Sequence, residues 1–232
     1  MSAHILTIFI ERVLLMKLRY PDYFSVFCES RVFETTEHTA SFDDVVGTVS
    51  TNNKTLRVSL FAKETAIKYL RLRWNFSQNE KRNDIIKVYG DVWERSYGDI
   101  EWRGIVPDRY MPWVCAVSNG SDQDRNTSGR FTECFGVKTC PSAMCFWQYD
   151  ANGITLWLDV RCGGDGVILG GKTLDVCQIV FGEYRDISAF SALITMRRIP
   201  SPTAFLWKVC WMVKFAKISF CATDRRRTFI CF

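Results

Sequence analysis

The run Gly166-Val-Ile-Leu-Gly-Gly171-Lys172-Thr173 matches GxxxxGK[ST]. In a phosphate-binding loop of that spacing, backbone amides cradle the phosphates, the lysine reaches the β/γ-phosphates and the threonine holds magnesium. Such a loop must lead into a helix, whose N-terminus adds its dipole to the amides. The continuation Thr173-Leu-Asp-Val-Cys-Gln-Ile-Val180 is β-like instead, and Val167, Ile168 and Leu169 put bulk where a phosphate has to come close. Two turns, at Gly163-Gly-Asp-Gly166 and at Gly170-Gly171, bracketing a short strand account for the run more simply. Nucleotide binding through Gly166 to Thr173 is retained as an alternative function.

A second constellation is aromatic and charged: Tyr89-Gly-Asp-Val-Trp-Glu-Arg-Ser-Tyr-Gly-Asp-Ile-Glu-Trp-Arg-Gly104, continuing to Pro107-Asp-Arg-Tyr-Met-Pro-Trp113. Sugar recognition uses this mixture, because a ring stacks on the apolar face of a pyranose while charged groups bond its hydroxyls. On a strand, Asp99 and Glu101 share one face, and Ile100 and Trp102 the other. A carboxylate pair is also what a retaining glycosidase needs, at a separation of about 5–5.5 Å. Two such carboxylates among many arginines more often form solvated ion pairs. Trp93, Asp99, Trp102 and Arg103 are the candidates for contact with a sugar or with a neighbouring domain.

Other chemistries are poorly supplied. A Ser–His–Asp or Cys–His site would have to use His4 or His38, the only two histidines. The ten cysteines include no CxxC, and Cys134, Cys140 and Cys145 lack the paired spacing of a zinc ribbon. They are expected to be buried free thiols. No catalytic residue, metal or cofactor is assigned. Asn53, Asn75, Asn119 and Asn126 open glycosylation sequons, which mean little without a secretory signal.

The elements that must position these residues read as strands. Leu56, Val58 and Leu60 alternate with Arg57 and Ser59; Leu70, Leu72, Trp74 and Phe76 alternate with Arg71, Arg73 and Asn75. A period of two puts one face on a core and the other in water, as in a half-buried antiparallel sheet. Residues 143–149 and 154–161 flank Asp150-Ala-Asn-Gly153, a hairpin signature, and 173–180 is a further strand. Residues 118–129 form a polar loop. Thirteen of the fourteen glycines lie between Gly90 and Gly182, which concentrates the turns there. Many short strands with turn signals predict an all-β fold, a mostly antiparallel β-sandwich over residues 16–199, after an N-terminal extension of residues 1–15.

The net charge of +5 does not belong to that body. Residues 201–232 hold six basic side chains against Asp224, so the first 200 residues are neutral. They have no net-charge reason to bind nucleic acid or an anionic membrane. Residues 1–16 carry Glu11 and Arg12 inside their apolar stretch, which fits neither a secretory signal nor a membrane span, and a cytoplasmic chain is expected. Beyond Pro200 there are seven Phe or Trp and no glycine, caps or sustained pattern. Residues 200–232 read as an atypical tail, irregular or partly helical, of the sort a truncated or frame-shifted reading frame produces.

The segments from Tyr89 to Trp113, Gly136-Val-Lys-Thr-Cys-Pro-Ser-Ala-Met-Cys-Phe-Trp-Gln-Tyr-Asp150 and Trp157-Leu-Asp-Val-Arg-Cys-Gly-Gly164 to Val176 resemble the N-terminal β-sandwich of melibiase-type α-galactosidases, the clan-D glycoside hydrolases. The similarity runs from about Leu18 to about Arg185. It implies a sandwich that packs on a (β/α)₈ barrel whose two aspartates do the retaining chemistry; that barrel has no counterpart here. The expectation is an accessory domain, inactive alone, a scaffold with weak affinity for galactoside-type carbohydrate. A ligand-free interaction domain is the remaining alternative.

Overall fold

A computed structural model of the chain describes residues 13–14, 19–52, 55–76, 86–90, 101–119, 129–138, 141–161, 164–186 and 191–192. The atypical tail expected over 200–232 and nearly all of the N-terminal extension lie outside these.

The described strands are β1 (Val13–Leu14), β2 (Tyr23–Cys28), β3 (Val32–Thr35), β4 (Thr39–Phe42), β5 (Val45–Asn52), β6 (Thr55–Ala62), β7 (Ile67–Asn75), β8 (Lys87–Gly90), β9 (Glu101–Arg103), β10 (Met111–Pro112), β11 (Val114–Ser118), β12 (Phe131–Val137), β13 (Met144–Asp150), β14 (Gly153–Asp159) and β15 (Lys172–Arg185). One sheet runs β4-β5-β6-β15-β12-β11-β8-β9, with β1 pairing β15; the other runs β10-β13-β14-β7-β2-β3. Every pairing is antiparallel. The described residues are therefore nearly all β, an antiparallel two-sheet sandwich, as the period-two patterning predicts.

The alternation decides which faces meet. Leu70, Leu72 and Trp74 of β7 and Leu56, Val58 and Leu60 of β6 are buried between the sheets, whereas Arg71, Arg73 and Arg57 point outward. Phe24, Val26, Trp147, Ile154, Leu156 and Ile179 complete the layer. Gly47 is there because a Cβ would lie 2.8 Å from the Phe24 ring. The predicted hairpin is β13–β14, with Asp150 opposite Gly153. The strand expected at 173–180 is longer. β15 pairs β6 along its first half and β12 along its second, with a bulge between Asp175 and Cys177. The five described cysteines are buried free thiols, and burial pushes those of Cys115 and Cys177 up.

The β4–β5 turn carries an electrostatic clasp. Asp43 takes a left-handed φ of 46°, which Asp tolerates better than most residues. Beside it, Asp44 Oδ2 accepts the amides of Lys63, Glu64 and Thr65 at 2.9, 2.6 and 3.0 Å, and Oδ1 accepts the Thr65 hydroxyl. The Thr65 hydroxyl and those amides hold the Asp44 carboxyl well below the usual range. A depressed carboxylate makes the unfolded chain the stronger proton binder, so its stabilisation is present above the unfolded value near 3.9 and vanishes as pH falls through the folded one. The melting temperature should therefore fall between about pH 4 and pH 2. Asp44→Asn should lower it at pH 7 and flatten that acid limb; an unchanged limb would remove Asp44 from the account.

Candidate functional site

The outer face of the six-stranded sheet is aromatic where such a face is ordinarily polar. Register sets its rows. Phe146, Trp157, Arg71, Ser25 and Glu34 are successive cross-strand partners on β13, β14, β7, β2 and β3. The next row is Gln148, Thr155, Arg73 and Tyr23; on the other side lie Asp159, Tyr69, Phe27 and Val32. Four strands, two of them the β13–β14 hairpin and two from the first half of the chain, thus place Phe27, Tyr69, Phe146 and Trp157 side by side.

The rings are mutually fixed. Phe27 stacks on Tyr69 with centroids 4.3 Å apart, and Trp157 meets Tyr69 edge-on at 5.7 Å. Phe146 lies parallel to Trp157 at 6.5 Å, and Tyr110 meets Phe146 edge-on at 5.2 Å. The Trp157 indole N–H donates to Gln148 Oε1 at 2.5 Å, which sets the plane of the ring. Tyr23, Val32, Tyr110 and Met144 remain substantially exposed around them.

Polar groups are built into the same rows. The Arg71 guanidinium sits 5.7 Å from the centroids of both Phe27 and Trp157. Its Nη2 donates to Ser25 Oγ at 3.3 Å and to Glu34 Oε2, which also accepts the Ser25 hydroxyl at 2.8 Å. That Ser25 bond, with Arg71, holds the Glu34 carboxyl below its usual range. Arg73 forks onto Asp150 at 2.5 and 3.0 Å while also reaching Thr155 Oγ1 and Asn75 Oδ1. Burial pushes the Asp150 carboxyl up, but Arg73 and the amides of Asn152 and Gly153 outweigh it and hold the group low. Between them, Tyr23, Glu34, Arg71, Arg73, Asn75, Thr155 and Trp157 line a depression of about 300 Å³.

The residues singled out from sequence lie elsewhere. Trp102 and Arg103 are on β9 at the edge of the other sheet, opposite Tyr89 and Val88. Trp102 is half-buried, 5.2 Å from the Tyr89 ring, and with Tyr89 packs against a second apolar cluster formed by Val114, Ala116, Cys134, Val180, Tyr184 and Ala192. Arg103 is exposed. Trp93 and Asp99 lie outside the described residues, as does the side chain of Glu101, so the carboxylate pair is not described. His38 stacks on Tyr20 with centroids 3.6 Å apart.

The Gly166 to Thr173 run is a turn between strands. Val167 bridges Ile67, and Gly170 and Gly171 adopt φ of 61° and 75°. The amides of Gly171 and Lys172 are already bonded to the carbonyls of Ala62 and Leu169. Lys172 and Thr173 open β15, so no helix N-terminus follows. Among the described residues, no three His, Cys, Asp or Glu side chains group as metal ligands, and no helix is long and apolar enough to cross a membrane.

Phe27, Tyr69, Phe146 and Trp157 occupy the outward phase of strands whose inward phase is already apolar, and only register shows that they share one face. Comparison of the chain with protein-family models, curated proteins and solved structures returned no match.

Proposed function

We propose that this chain is a non-catalytic β-sandwich module of an α-galactosidase-like glycoside hydrolase, holding carbohydrate on the outer face of its six-stranded sheet. The observation that carries the reading is the row Phe146–Trp157–Arg71–Ser25–Glu34. It sets an oriented indole beside a guanidinium and a carboxylate. Aromatic rings supply area for the C–H face of a pyranose, and charged bidentate groups bond its hydroxyls. The β9 edge, with Trp102 and Arg103, is the surface the same reading gives to a neighbouring catalytic domain.

The purified chain should release no p-nitrophenol from its α-galactoside. In native gels cast with galactomannan it should migrate more slowly than in plain gels, and Trp157→Ala should abolish that retardation. Equal mobility of the wild-type chain in gels cast with any neutral glycan, or sustained turnover of the galactoside, would overturn the reading.

A further inference from the structure

We propose that the depression between Trp157, Arg71 and Glu34 is a subsite for one neutral hexopyranose unit, and that the Arg71–Glu34 pair selects against anionic sugars. This rests on the carbohydrate reading above and specifies its ligand. Three observations carry it.

The first is size. About 300 Å³ is room for a single sugar ring.

The second is charge. Each arginine of the depression already has a carboxylate: Arg71 has Glu34, and Arg73 has Asp150. A phosphate or uronate arriving here meets no uncompensated cation. It also meets Glu34 itself, which is held ionised by the Ser25 hydroxyl and Arg71. Like charges brought together in this way give specificity by repulsion.

The third is the inventory of unused hydrogen-bonding groups. Arg73 spends Nε, Nη1 and Nη2 on Asn75, Asp150 and Thr155, which makes it a fixed floor. Arg71 makes its hydrogen bonds through Nη2 alone, which leaves Nη1 as a free donor, and both bonds to Glu34 fall on Oε2, leaving Oε1 open. One donor and one acceptor therefore stand unfilled beside the indole. A vicinal diol can satisfy both at once, one hydroxyl accepting from the guanidinium and the other donating to the carboxylate. A purely apolar ligand satisfies neither, and a carboxylate only the first. The indole is pinned by Gln148 before any ligand arrives, so little ordering is left to be done on binding.

The test is titration of the full chain with methyl α-D-galactopyranoside, methyl α-D-glucopyranoside, galacturonate and inorganic phosphate, followed on the Trp157 indole N–H resonance. Both neutral glycosides should shift that resonance, and galacturonate should bind at least about fivefold more weakly. Glu34→Gln removes a charged acceptor and frees Arg71, so the neutral glycosides should weaken about tenfold while galacturonate strengthens. Glu34 is half-exposed and Gln keeps its shape, so the variant should fold. Galacturonate or phosphate binding the wild-type chain more tightly than the neutral glycosides would overturn the proposal. So would a Glu34→Gln variant with an unchanged preference. If galactomannan still retards the chain but neither outcome at Glu34 appears, the subsite falls and the module reading stands. If no glycan binds at all, both fall.

Discussion

Trp147→Ala should cost about 3–5 kcal/mol of folding free energy, much of the 5–15 kcal/mol that holds a typical domain together. Among the described residues Trp147 is the largest fully buried side chain, and its ring lies 5.9 Å from both Trp74 and Phe135. It reaches from the six-stranded sheet into the layer that the other sheet closes, so its removal leaves a cavity that two hydrogen-bonded sheets cannot easily collapse to fill. A further contribution comes from its polar end. The indole N–H donates to the carbonyl of Trp113 at 3.4 Å, and the same carbonyl accepts the Val137 amide at 3.0 Å. Trp113 sits between β10 and β11, where the chain leaves one sheet for the other, and has a φ of 65°. A bulky residue adopts that backbone only when its surroundings hold it there. Urea denaturation should show the midpoint falling with an unchanged slope, and Trp147→Phe should recover most of the loss. A loss below about 1 kcal/mol would mean that Trp147 does not bridge the layers.

What the sequence made legible, and what it hid, follows from the range of the interactions. The β7 alternation names its own core residues, because burying Leu70, Leu72 and Trp74 together requires only that β7 be a strand. The β13–β14 hairpin is equally local, with a two-residue connection between Asp150 and Gly153. The placement of β15 between β6 and β12 is not local. Nothing within Lys172–Arg185 says that its first half will pair with residues more than a hundred positions earlier, nor where the bulge will fall. The aromatic face was hidden for the same reason. Trp157 next to Leu156 and Leu158 reads as one more apolar residue of a buried strand until register places it outward, beside Arg71. The aromatics of the Tyr89 to Trp113 segment are dense in sequence. Sites assembled on a sheet are dense across strands instead, where one-dimensional reading has no access.

Gly153→Ala should destabilise the chain by about 1–3 kcal/mol, although the residue is an ordinary strand position at the end of a hairpin. Its φ is not in the left-handed region, so conformational freedom is not the reason a glycine is needed. Space is the reason. A Cβ at Gly153 would lie 2.1 Å from the carbonyl oxygen of Trp74 and 2.9 Å from Nη2 of Arg73. The arginine tip can move, but the Trp74 carbonyl belongs to β7, which is held in register with β14 on one side and β2 on the other. Relief therefore means splaying β14 from β7 at its start, or turning the Arg73 guanidinium off Asp150. The two routes are separable by a double-mutant cycle with Arg73→Ala. If the backbone clash dominates, as the shorter distance dictates, Gly153→Ala should cost nearly as much in the Arg73→Ala background as in the wild type. A cost that disappears there would assign the clash to the side chain. In either case β7 and β14 are the strands that carry Arg71, Arg73 and Trp157, so the packing that excludes one methyl group at Gly153 also fixes the floor of the depression above it.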